Sequence, residues 1–155
     1  MNVRIIAVAV LMIVLTGCGT IKNYDHLAQP TNTDLATYVG GTIFKVNRSR
    51  DLPNQFGRAD LFGGKVFAGY TELRYQGMTG DGRLILRVTE VAAHSTETTM
   101  SRYEQSSGSL SVLPPNTTDV VFDATKEKEL VVAGIRVLFI EFTPQTLRYR
   151  LQITP

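Results

Sequence analysis

The chain has 155 residues and is 43% hydrophobic, enough for one domain with one core. Sixteen basic and fourteen acidic side chains give a formal net charge of +2, or +1 without Arg4, with no long run of like charge. That balance excludes the clustered basic face of a nucleic-acid binder. Thirteen glycines, seven Phe, six Tyr and no Trp suit a turn-rich β protein.

Residues 1–4 carry one positive charge, and residues 5–15, "IIAVAVLMIVL", are uninterruptedly apolar. As a helix this run would span roughly 16 Å, against a hydrocarbon core of about 30 Å. It is too short for a stable membrane span and has the length and flanks of a signal-peptide core. Leu15-Thr16-Gly17-Cys18 follows at once, and Cys18 is the only cysteine. This segment resembles the bacterial lipobox: an aliphatic residue, two small residues, then cysteine. The resemblance implies a lipoprotein signal peptide over 1–17, cleavage between Gly17 and Cys18, and a diacylglyceryl thioether on Cys18. The new amino terminus would take a further fatty acid such as palmitate. Several acyl chains make attachment durable where one is marginal. With Cys18 lipidated, no thiol remains for a disulfide, a metal or catalysis. Gly19 and Thr20, rather than Asp, after the cysteine imply the periplasmic face of the outer membrane over the inner membrane.

Residues 18–38 are polar with little periodicity and read as the lipidated terminus and a flexible tether, with one helical turn near 34–38. The globular domain is then expected over 39–155. Strands are expected at 41–48, 70–76 and 83–92, the last two joined through Asp81-Gly82, a hairpin turn signal. Residues 96–103, rich in threonine, read as an exposed or edge strand. A short strand follows in 107–118, stopped by Pro114-Pro115, and another at 119–124. Residues 129–142 read as one central strand, apolar on both faces and bulged at Gly134. Thr143 to Thr146 make a turn, and Leu147, Tyr149, Leu151 and Ile153 alternate with polar residues in a half-buried last strand. Seven to nine short strands predict an all-β fold, an antiparallel β-sandwich or small barrel.

Chemistry-bearing residues are few. His94 and Glu97 could form a ligand pair, but three residues apart on a strand they point to opposite faces. His26 falls in the tether. Asp51 and Asp60 could be paired carboxylates for acid–base work if the fold brought them together. No established catalytic, phosphate-binding or metal-binding motif occurs, so no cofactor, metal or catalytic residue is assigned.

The densest unusual stretch is 51–70, where large apolar residues alternate with Pro53 and glycines. Phe56, Leu61 and Phe62 are the candidate interaction surface, since partner sites are commonly loops with aromatic anchors. The region after the cysteine resembles small proteobacterial lipoproteins as a class, a resemblance that carries no site residues. The expected role is a membrane-anchored envelope lipoprotein acting by binding or structural contact with an envelope protein, glycan or lipid. The alternatives are a small periplasmic hydrolase or metal-dependent enzyme using Asp51, Asp60, His94 or Glu97, and an accessory lipoprotein of a secretion or pilus machine.

Overall fold

The structure is a computed structural model, described over residues 19–60, 62–104 and 108–154. Residues 1–17, read as a signal peptide, the expected lipidation site Cys18, and Leu61 lie outside the described residues.

Among the described residues ten strands are arranged in two antiparallel sheets that do not close into a barrel. The larger sheet runs β1 (Asn23–Leu27), β3 (Thr42–Asp51), β4 (Lys65–Met78) and β5 (Leu84–Ser95). The far side of β5 is shared by β6 (Leu110–Val112) and β7 (Asn116–Phe122), which Pro114 and Pro115 separate. The smaller sheet has the order β2 (Asp34–Tyr38), β10 (Thr146–Ile153), β9 (Ile135–Phe142) and β8 (Glu129–Val132).

Period-two alternation turns one face of each sheet inward. Phe44 and Val46 of β3, Leu73 and Tyr75 of β4, and Leu84 and Leu86 of β5 meet Val137 and Phe139 of β9 and Leu147, Tyr149 and Leu151 of β10 in one core. Phe122 and Phe139 join the sheets with ring centroids 5.2 Å apart. The buried Tyr149 hydroxyl donates to the Ile43 carbonyl at 2.7 Å, a bond that also ties sheet to sheet.

Several expectations need correction. Residues 23–38, read as tether with one helical turn near 34–38, hold two edge strands and no helix: β1 pairs with β3 in one sheet and β2 with β10 in the other. Their burial comes from long-range partners, so local periodicity was weak. Residues 96–103 contain no strand: the single helix of the described residues, α1 (Thr99–Tyr103), starts at Thr98 with a reciprocal capping box to Ser101. Residues 129–142 are two strands, not one bulged strand. Ala133 and Gly134, both at positive φ (50° and 74°), form a two-residue turn between β8 and β9. β9 is an inner strand, but of its outward residues Arg136 and Leu138 are half-buried and Ile140 is exposed. Ile153 is also exposed, although its cross-strand partner Ile135 lies in the core.

The hairpin at Asp81-Gly82 forms as expected, with Gly82 at φ 85° and its N–H donating to Thr79 O at 3.0 Å.

Candidate functional site

The segment between β3 and β4, residues 52–64, consists of two tight turns on a buried base. Leu52 is buried, its N–H donating to Gly64 O (2.7 Å) and its carbonyl accepting from Asp60 N–H (2.8 Å). In the first turn Asn54 Oδ1 accepts from the N–H groups of Phe56 (2.9 Å) and Arg58 (3.0 Å), the local bonding for which Asn is favoured in turns. Gly57 supplies the positive φ of 72° that this turn needs. In the second turn Asp60 Oδ2 accepts from Gly64 N–H at 3.2 Å. Each turn carries a phenylalanine: Phe56 is 77% exposed and Phe62 82%.

Helix α1 packs beside this loop. Thr99 N–H donates to Pro53 O at 3.0 Å, and Thr99 Oγ1 bonds Asp60 Oδ1 at 3.2 Å. Arg102 reaches Lys65 O at 2.8 Å and pairs with Glu97 at 2.9 Å. The helix thereby sets Tyr103 (76% exposed) beside Phe62, and it also exposes Met100 (45%). Phe62 and Tyr103 line a shallow cavity of about 260 Å³ with Leu52 as floor.

The described N-terminal residues are bound to the same loop. Ala59 N–H donates to Gly19 O at 3.1 Å. Asp51, buried at the end of β3, accepts from Lys22 N–H at 3.0 Å, and its own N–H returns a bond to Lys22 O at 3.0 Å. Hydrogen bonding to Asp51, burial and its negative charge raise the Tyr24 phenol above its ordinary value. Lys65 Nζ lies over the Tyr24 ring, 3.6 Å from its centroid.

Three of the residues considered for chemistry, Asp51, Asp60 and Glu97, have structural work. Asp51 holds the N-terminal segment and Asp60 holds the loop to α1. His94 is exposed on β5, opposite Ser111, and Glu97 is engaged by Arg102. His26 is exposed on β1. Among the described residues no three His, Cys, Asp or Glu side chains group as a metal site.

At the opposite end of the larger sheet an open cleft of about 520 Å³ lies between the 79–83 turn and residues 123–126. Asp81 is held below the ordinary carboxylate value by the Thr79 hydroxyl first and by Arg83, which outweigh its desolvation. Asp123 is lowered likewise, by Thr125 first, then Lys126. Both carboxylates are therefore kept ionised, which suits charge recognition and not proton donation near neutral pH.

Sequence reasoning singled out Phe56 and Phe62 but missed Met100 and Tyr103. Once 96–103 is read as a strand, nothing places those two beside a loop forty residues earlier. The only available signal was the pair Thr98 and Ser101, whose spacing fits a helix cap.

No protein-family model matches this chain, and comparisons with curated proteins and with solved structures find no match either.

Proposed function

We propose that the chain is a lipid-anchored envelope lipoprotein that acts by contact and not by catalysis. The observation that carries this reading is the sequence Leu15-Thr16-Gly17-Cys18 directly after an eleven-residue apolar run. In this reading Cys18 holds the protein on the periplasmic face of the outer membrane, and the exposed loop bearing Phe56 and Phe62 is the contact surface. Two features of the fold support it. Gly19 is bonded to that loop, which brings the lipid-bearing end and the contact surface together. Asp51, Asp60 and Glu97, three of the four residues that could have served an enzyme, are engaged in holding strands, loop and helix.

The test is growth of an expressing bacterium with radiolabelled palmitate. The wild-type protein should take up label and Cys18→Ser should not. Equal labelling of the two would overturn the proposal.

A further inference from the structure

We infer that the end of the sandwich formed by the 52–64 loop and α1 is a membrane-docking face, whose apolar side chains enter the bilayer into which Cys18 is anchored. The inference rests on the lipoprotein reading above and names the partner of the same surface: a phospholipid bilayer.

The length of free chain after an anchor sets how far a domain can move from it. A flexible linker of twenty residues would let a domain wander roughly 25 Å from its anchor. The structure leaves no such linker, because Gly19 is already bonded to Ala59, and Lys22 to Asp51. The Cα of Cys18 is one peptide unit, about 3.8 Å, from that of Gly19. A lipid on Cys18 thus pins the 52–64 loop at the membrane surface, and whatever projects from that loop must meet lipid before any other partner.

What projects from it is suited to lipid. Phe56 and Phe62 stand on two tight turns, 77% and 82% exposed; Tyr103, 76% exposed, shares a cavity with Phe62, and Met100 of the same helix is 45% exposed. Aromatic and large apolar side chains of this kind enter the headgroup and acyl boundary to a depth of about 5–10 Å. The turns bond their backbone polar groups internally through Asn54 and Asp60, which lowers the cost of bringing them against a bilayer.

Charge agrees. Lys22, Arg58 and Lys65 are exposed at this end and can meet anionic headgroups. Of the acids here, Asp51 and Asp60 accept hydrogen bonds from their own neighbourhood and Glu97 is paired with Arg102, leaving Glu104 as the exposed carboxylate. Docked this way, the charged cleft of Asp81, Arg83, Asp123 and Lys126 faces away from the membrane.

The chain has no tryptophan, so single-Trp variants report without background. Full-length protein carrying Phe56→Trp, Phe62→Trp or, at the opposite end, Tyr38→Trp would be made in a bacterium and purified from its membranes. Each would be placed in vesicles of phosphatidylethanolamine and phosphatidylglycerol with brominated acyl chains, and the mass of its N-terminal peptide measured. Trp at 56 and 62 should be quenched at least about twofold more than Trp at 38, with blue-shifted emission, as for a ring at the membrane boundary. Adding Phe62→Asp to Phe56→Trp should remove at least about half of that quenching, since an ionised carboxylate resists insertion. A lipidated N-terminus with equal quenching at all three positions would overturn the docking face and leave the lipoprotein reading standing. An N-terminal peptide without lipid would overturn both.

Discussion

Two carboxylates set against backbone and cations show how much single residues contribute here. Asp51 is buried and makes a two-way bond with Lys22. Asp51→Ala leaves the Lys22 N–H without its acceptor and should cost about 1–3 kcal/mol, read from the urea midpoint at pH 7. Desolvation pushes the Glu72 carboxyl up, but bonds from Thr42 Oγ1 (2.6 Å) and Arg74, with the charges of Arg74 and Lys45, leave it below its ordinary value of 4.5. A carboxylate depressed by folding contributes stability that is complete above its unfolded value. That stability is lost as pH falls through the folded value. Acid titration should therefore destabilise the wild type below about pH 4.5, and Glu72→Gln should flatten that limb. An unchanged acid limb in denaturant melts at several pH values would show that Glu72 is uncoupled from folding.

At the scale of elements, glycine chemistry separates two kinds of position. The Ala133-Gly134 turn puts an alanine at φ 50°, where its Cβ is strained. Ala133→Asn should raise stability by about 0.5–1 kcal/mol, because Asn accepts this conformation and is favoured in such turns. Gly69 is the opposite case: at φ 126°, a Cβ there would lie 2.0 Å from Val91 O, so the β4–β5 ladder must part. Gly69→Ala should lower stability by more than about 2 kcal/mol in the same melts. Helix α1 carries the lesson about reading elements. Its threonines are β-branched and favour a strand locally, whereas the Thr98–Ser101 capping box and the bonds from Thr99 to Pro53 and Asp60 make it a helix. The capping box is local, but the partners of Thr99 lie some forty residues away, beyond the reach of any local pattern.

For the whole molecule, the two strands nearest the N-terminus edge both sheets, so the domain begins well before Val39. Leu27 of β1 and Leu35 of β2 pack against the core. A chain begun at Val39 should lose about 2–4 kcal/mol relative to one begun at Gly19, from those two partly buried leucines alone, and expose the edges of β3 and β10. Equal unfolding free energies for the two chains would place the boundary at Val39 after all. The sequence by itself determined the all-β class, the hairpin at Asp81-Gly82 and the inward row of Leu147, Tyr149 and Leu151. Each of these depends on alternation or turn chemistry within a few residues, so it is written locally. Only the tertiary structure decided that residues 23–38 are sheet edges, that Tyr103 meets Phe62 at one cavity, and that Gly19 is bonded to the loop that carries Phe62. These are encounters between segments distant in the chain, fixed by strand pairing and packing whose partners no local pattern names.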